Sequence, residues 1–260
     1  MNFRAPALCV DMSHSKSRRA RRRIACEPHF TKTQVEVARG LCREGASAPD
    51  ALSLERWTSS LLGRVWQRRR FGQDDESVDP MLFHGAPLLE GFAELGGDEA
   101  GPILAAIERL DRGPLGALAR KLRNPISGPS PPQWIDQVGT TRIARAFAVR
   151  VPGDGEALLL EADDTCETPH MIGAFISEIR GGIATQLSAI RVIDPMDPSS
   201  HEGNDDGQMK FRPVDPVLAC RRLHIAINRT DGVPVSSIED LFVNHRALAI
   251  ARVTAHEALL

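Results

Sequence analysis

The stretch from residue 134 to residue 193 constrains the fold most, because strand-like runs alternate there with sharp turn signals. Residues 141–151 carry apolar side chains at every second position, which predicts one apolar face of a strand, although Arg145 interrupts the series. The side chains on that face are Ile143, Phe147, Val149 and Val151. A sheet in the middle of the chain is therefore the first expectation.

The next segments extend this sheet. Residues 152–155 read Pro-Gly-Asp-Gly, which is turn chemistry, and the run that follows them completes a predicted hairpin. Residues 171–179 are apolar on both alternating faces, which is typical of a central strand covered on two sides. After Gly181-Gly182, the pattern of residues 183–193 fits a short helix and a fourth strand equally well.

Helical patterns dominate the chain before residue 124. Apolar side chains spaced three and four apart predict a short helix in residues 31–45 and a firmer helix from residue 51 to Arg70. Residues 81–95 predict a third helix. The next begins at Pro102, because proline suits a first helical position, and another starts at Pro114. We expect Trp57 and Trp66 to pack in the core, and Arg68, Arg69 and Arg70 to stabilise the end of the second helix.

Polar loop and helix follow the sheet. Residues 194–207 predict a solvated loop and residues 209–214 an edge strand. A helix starts at Asp215-Pro216, and Ser236 with Glu239 forms a capping box before the last helix. The fold class expected is α+β, with an N-terminal helical region, a small, mostly antiparallel sheet in the middle and C-terminal helices packed on it. The expected divisions are a disordered basic arm (1–30), a helical region (31–123), a linker (124–132) and an α+β domain (133–260).

Charge is distributed unevenly along the chain. Residues 1–72 hold 15 Lys and Arg against 6 Asp and Glu, a net charge of +9, and the remainder carries −11. Six cations crowd into residues 16–23, namely Lys16, Arg18, Arg19, Arg21, Arg22 and Arg23. Such a segment resists packing, so it predicts either an electrostatic contact with nucleic acid or ribosome, or a solubilising tail. Met12 offers an alternative start within this arm.

Several classes of protein are disfavoured. No apolar run approaches the roughly 20 residues of a membrane helix, so we expect a cytoplasmic protein with no membrane partner. The five cysteines are scattered without CxxC spacing, which predicts reduced thiols and no metal site. The chain has neither GxGxxG nor a Walker A loop, and no cofactor is expected.

Three residues are weak catalytic candidates. Asp154, His170 and Glu178 could supply general acid–base chemistry if the fold brought them together. Each also has an ordinary structural role available. Asp154 suits a turn, His170 suits a strand start, and Glu178 suits a solvated strand end.

The second half of the chain resembles an uncharacterised family of soluble proteins from high-GC bacteria. The pattern comprises PPxW and VG, then GDGE, a histidine, GGIA, and finally VDPxLACRR with HRALAIAR. It lies at residues 131–134, 153–156, 170, 181–184, 214–222 and 245–252. The resemblance covers roughly the last half to two-thirds of the chain, and it implies an architecture without implying a mechanism.

Three functions follow as hypotheses. The first is a non-enzymatic binding or regulatory module whose basic arm contacts nucleic acid or ribosome. The second is a protein–protein interaction module without nucleic acid. The third is an enzyme that uses Asp154, His170 and Glu178. The absence of GxSxG and HExxH motifs favours the two binding hypotheses.

Overall fold

The structure is a computed structural model that describes residues 32–68, 79–123, 133–163, 167–192, 211–234 and 238–257. The described helices are α1 (Lys32–Ala46), α2 (Ala51–Arg68), α3 (Pro80–Leu95), α4 (Gly97–Leu110), α5 (Pro114–Arg123), α6 (Pro216–Asp231) and α7 (Asp240–Glu257). The strands are β1 (Ile143–Val151), β2 (Gly155–Ala162), β3 (His170–Ser177), β4 (Ile183–Arg191) and β5 (Arg212–Val214). The α+β fold expected from the sequence is confirmed.

Local capping fixes the N-terminal helices. The Asp50 carboxylate accepts a hydrogen bond of 2.8 Å from the backbone N–H of Ser53, which satisfies a free donor at the start of α2. Asp79 does the same for α3 by accepting from the N–H groups of Met81 and Leu82. The predicted helices before residue 111 are all present.

The start of α4 differs from the prediction. The helix begins at Gly97, five residues before Pro102, and Pro102 lies inside it. Gly96 and Gly97 both adopt positive φ angles, which lets the chain turn sharply between α3 and α4. Asp98 and Glu99 then occupy the first turn, where the helix dipole favours negative charge. These two effects outweigh the hydrogen bond that Pro102 cannot donate.

The sheet is antiparallel throughout its described strands, in the order β4-β3-β2-β1-β5. The predicted β1–β2 hairpin turns at residues 152–154. β3 is an interior strand with nearly every residue buried, as its two apolar faces predicted. The ambiguous segment after Gly182 forms strand β4.

One prediction about β1 is wrong. Ile143 was expected to share a face with Phe147 and Val149, but a shift of register between Ile143 and Arg145 inserts an extra residue. A bulge of this kind reverses the alternation of side chains. Ile143 consequently joins the main core cluster, whereas Phe147 and Val149 are buried outside it.

The C-terminal helices cover one face of the sheet. Asp215 accepts a hydrogen bond of 2.9 Å from the N–H of Leu218, so α6 starts at the predicted Asp-Pro pair. Helix α6 packs against strands β1, β2 and β4, and α7 packs against β4. The predicted capping residue Ser236 and the loop at 194–207 lie outside the described residues.

Helix α2 joins the two halves of the chain. It packs along α7, and one hydrophobic core contains side chains from the helices before residue 124 and from the sheet and helices after residue 132. Trp66 of α2 lies 6.0 Å from Phe242 of α7, measured between ring centroids. The predicted arm (1–30) and linker (124–132) lie outside the described residues. No helix in the described ranges is long and apolar enough to span a bilayer.

Candidate functional site

The three catalytic candidates lie at opposite ends of β3. Asp154 sits in the β1–β2 turn, where its carboxylate accepts a hydrogen bond of 2.7 Å from the Ser177 hydroxyl. The backbone oxygen of Asp154 accepts a second bond of 2.7 Å from the N–H of Glu178. Asp154 therefore ties the turn to the end of β3.

Glu178 and His170 have different surroundings. Glu178 is exposed and forms an ion pair of 3.2 Å with Arg150. His170 is buried at the first residue of β3, seven residues before Ser177. At about 3.3 Å per residue, that separation is roughly 23 Å. The structure brings Asp154 and Glu178 together, and it places His170 far from both.

His170 belongs to a buried polar network that the sequence did not suggest. Arg252 of α7 and Glu55 of α2 form an ion pair in which both side chains are almost completely buried. Arg252 Nε also donates to His170 Nε2 at 3.4 Å, and Glu55 accepts a bond of 2.6 Å from the N–H of Gly139. The network thus connects α2, α7, β3 and the loop before β1.

The protonation of His170 follows from this environment. Burial lowers the pKa of His170, and the positive charge of Arg252 acts in the same direction. The Nδ1 atom lies 2.9 Å from the backbone oxygen of Thr168, so Nδ1 carries the proton and donates it there. Nε2 then accepts a hydrogen bond from Arg252, so both ring nitrogens of the neutral imidazole have a hydrogen-bond partner in the core.

Little in the sequence identifies this network. Arg252 stands in the apolar run ALAIARVTA, which marks it as a cation on a buried face, but its partner Glu55 is 197 residues away. Removal of one partner of a buried ion pair leaves the other charge uncompensated, which lowers the free energy of unfolding by about 3–5 kcal/mol. We interpret the network as a structural connection between α2 and the C-terminal half.

The second polar feature is the outward side of α2, here called the α2 face. It consists of Ser53, Arg56, Trp57, Ser60, Arg64 and Arg68. At about 100° per residue, these positions fall within roughly one third of the helix circumference. The three arginines are exposed, and none forms an ion pair within the described part of the chain.

The charged side chains that α2 contributes to this face are all positive, because its one acidic residue belongs to the buried network. Glu55 is the only acidic residue of α2, and it points inward to Arg252. Trp66 is buried as predicted, but Trp57 is half-buried and packs only partly on the core. The α2 face therefore combines an accessible indole with three exposed guanidinium groups that form no ion pair with a described residue.

A groove separates the α2 face from α7. Its volume is about 360 Å³, and its lining comes from both helices. The lining residues are Ser53, Arg56, Trp57, Ser60, Asn244 and His245. The Ser60 hydroxyl donates to Asn244 Oδ1 at 3.1 Å, which holds the two walls together. No carboxylate lines this groove among the described residues.

The described cysteines add little to the site. Cys42 and Cys220 are both buried, and burial raises the pKa of the Cys42 thiol to about 11. Where the chain is described, no three His, Cys, Asp or Glu side chains are grouped to hold a metal ion. Cys9, Cys26 and Cys166 lie outside the described residues. The cations of the predicted arm also lie outside the described residues, namely Lys16, Arg18, Arg19, Arg21, Arg22 and Arg23.

Comparison with known proteins yields no relative. No protein-family model, no curated protein and no solved structure matches the chain.

Proposed function

We propose that this protein is a non-enzymatic binding module that holds single-stranded nucleic acid against the α2 face. The observation that carries the proposal is the composition of that face, which offers Arg56, Arg64 and Arg68 with no acidic side chain on the same helix surface. Guanidinium groups bind phosphate well because they are always charged and present several donors.

Trp57 favours a single strand over a duplex. Proteins that bind unpaired strands combine a basic surface with aromatic side chains on which bases stack. Trp57 follows Arg56 in sequence, shares the α2 face with Arg64 and is half-buried, so part of its indole is accessible. The basic arm at residues 16–23 has no aromatic side chain of its own, and in this proposal it adds affinity through phosphates alone.

The placement of the catalytic candidates supports binding over catalysis. Asp154 and Glu178 are engaged in a turn and a surface ion pair, roughly 23 Å along β3 from His170. His170 is 1% exposed and accepts from Arg252, so substrate has no access to it. General acid–base chemistry by these three residues is therefore disfavoured.

Matched charge variants test the proposal. In the full chain, Arg56→Gln with Arg64→Gln should weaken binding to a fluorescent oligo-dT strand on the order of tenfold at low salt, because two phosphate contacts are lost. The control is Arg39→Gln with Arg43→Gln, two exposed arginines of α1 that line a different groove beside Asp98 and Glu99. Those carboxylates weaken the local positive potential, so the control should lose little affinity. Fluorescence anisotropy measures all three proteins.

Two results would contradict the proposal. Equal losses in the two double variants would mean that binding depends on total charge and not on the α2 face. Absence of binding by the unaltered chain at low salt would exclude a nucleic-acid function altogether. All four substitutions are at exposed positions, so each should change stability by no more than about 0.5 kcal/mol.

A further inference from the structure

The groove between α2 and α7 is large enough to hold one building block of a nucleic acid strand. Its volume of about 360 Å³ is within the range of roughly 300–1,000 Å³ typical of small-molecule sites. Other grooves in the described part of the chain are less suitable. One of about 430 Å³ contains Asp98 and Glu99, and one of about 220 Å³ contains Asp111, whose carboxylate already accepts from the N–H of Gly116.

Arg56 is the cation available in this groove. It is exposed and has no ion pair within the described ranges, so its guanidinium group is free to bind an anion. His245 stands on the opposite wall and contributes no charge of its own at neutral pH. Burial lowers the pKa of His245, and the positive charge of Arg56 acts in the same direction. His245 Nδ1 donates to the backbone oxygen of Leu241 at 3.0 Å.

Trp57 is the aromatic wall of the groove. The benzo edge of its indole packs at Gly45, where an added Cβ would lie 2.9 Å from the ring. This contact fixes one side of the ring against α1. The rest of the indole lines the groove toward α7 and also a smaller groove toward Arg64. A planar ligand can therefore meet a ring that is already held in place.

Ser60 and Asn244 complete the polar lining. Because the Ser60 hydroxyl donates to Asn244 Oδ1, the amide nitrogen of Asn244 remains available as a donor. The groove thus offers one guanidinium group, one indole and one amide donor, and it lacks a carboxylate that would repel phosphate. This combination matches the phosphate, base and polar edge of a nucleotide.

We infer that this groove is a subsite for one nucleotide of a bound single strand, with the phosphate at Arg56 and the base against Trp57. The inference rests on the proposed function, which it makes specific by naming the unit that is held and the side chains that hold it. Stacking on Trp57 requires a base, whereas Arg56 binds the phosphate of any strand, with or without bases.

The test compares two strands of equal length and charge, oligo-dT and a strand of abasic nucleotides, by fluorescence anisotropy on the full chain. The unaltered protein should bind oligo-dT roughly fivefold to a hundredfold more tightly than the abasic strand. Trp57→Leu should remove that preference and leave the abasic affinity unchanged. Arg56→Gln should weaken both strands by the same factor.

Two further variants serve as controls. Trp134→Leu changes another half-buried tryptophan, outside the groove, and should keep the preference for oligo-dT. Trp57→Phe retains an aromatic ring and should keep part of the preference for oligo-dT. If Trp57→Leu folds poorly, a reduced preference in Trp57→Phe still tests stacking at this position.

The outcomes separate this inference from the proposed function. Loss of the preference in Trp57→Leu, with the preference retained in Trp134→Leu, supports the subsite. Equal affinity of the unaltered protein for both strands overturns the subsite and leaves phosphate binding by the α2 face intact. Failure to bind either strand overturns both.

Discussion

Arg252 carries its positive charge into the core, where water cannot stabilise it. Its side chain is 0% exposed, and Glu55 and His170 supply the partners that make this burial tolerable. A consequence appears on the outer surface of the protein. Because Glu55 is committed to Arg252, α2 itself places no acidic side chain beside Arg56, Arg64 and Arg68, although Glu44 of α1 lines a small groove with Arg64.

His170 should make stability depend on pH. The folded state lowers the pKa of His170, mainly through burial, so the unfolded chain binds a proton that the folded chain excludes. The free energy of unfolding should therefore fall as pH drops below about 6.5, the usual pKa of histidine, until the folded pKa is reached. Urea unfolding at pH 7.5 and pH 5.5 measures the loss.

His170→Gln isolates this contribution, since glutamine can accept from Arg252 without titrating. The variant should lose less stability than the unaltered protein between the two pH values. The comparison is needed because burial also lowers the pKa of His245, which adds a loss of the same sign. Equal losses in both proteins would show that His170 does not titrate differently on folding.

For single residues, the sequence indicated which side chains could be important but not which partners they contact. Asp154, His170 and Glu178 were reasonable candidates, and each has the structural role that the sequence also allowed. The Glu55–Arg252 pair spans 197 residues, and no local spacing rule reports contacts at such a distance. The accessible indole of Trp57 was missed for a related reason, because helical periodicity does not state how completely a partner covers a side chain.

Helix α2 packs against α7 along one side and is exposed along the neighbouring side. Its inner side packs along α7 so closely that the two backbones nearly touch at Gly63. Its outer side is the α2 face. The position of α7 therefore determines the width of the groove in which Arg56 and Trp57 meet Asn244 and His245.

Gly63→Ala should disrupt this packing. A Cβ at Gly63 would lie 2.1 Å from the carbonyl oxygen of Val243, so α2 and α7 must separate to admit it. Overpacking of this kind costs about 1–3 kcal/mol in the free energy of unfolding. The control is Gly40→Ala in α1, which meets nothing within 4 Å and should add about 0.5–1 kcal/mol through helix propensity. Chemical unfolding distinguishes the two, and equal effects would contradict the close approach.

The elements themselves were largely predictable because their signals are local. Asp50, Asp79 and Asp215 accept the hydrogen bonds of helix starts, and the sequence predicted all three helices to within one residue of their starts. The errors arose where a second effect competed. Gly97 and the acidic residues after it started α4 before Pro102, and a bulge after Ile143 reversed one face of β1.

The whole molecule combines a continuous core with an uneven surface. Side chains from the N-terminal helices and from the sheet region share that core. The division of the chain at residues 124–132 stays a prediction. Local composition indicates where a chain is polar, but it does not report which surfaces meet after folding. The net charge of −11 outside residues 1–72 opposes the approach of a polyanion, so binding must depend on the local charge of the arm and the α2 face.

The salt dependence of binding to a single-stranded oligonucleotide tests whether the arm and the α2 face hold phosphates. Log K for the full chain should fall linearly with log salt, with a slope of about −0.7 for each phosphate neutralised. We expect a slope of about −3 or steeper, equivalent to four or more phosphates shared between the arm and the α2 face. A chain beginning at residue 24 should retain a shallower slope, and Arg56→Gln with Arg64→Gln should reduce that slope further. A slope near zero, or no binding at low salt, would rule out phosphate binding by the arm and the α2 face.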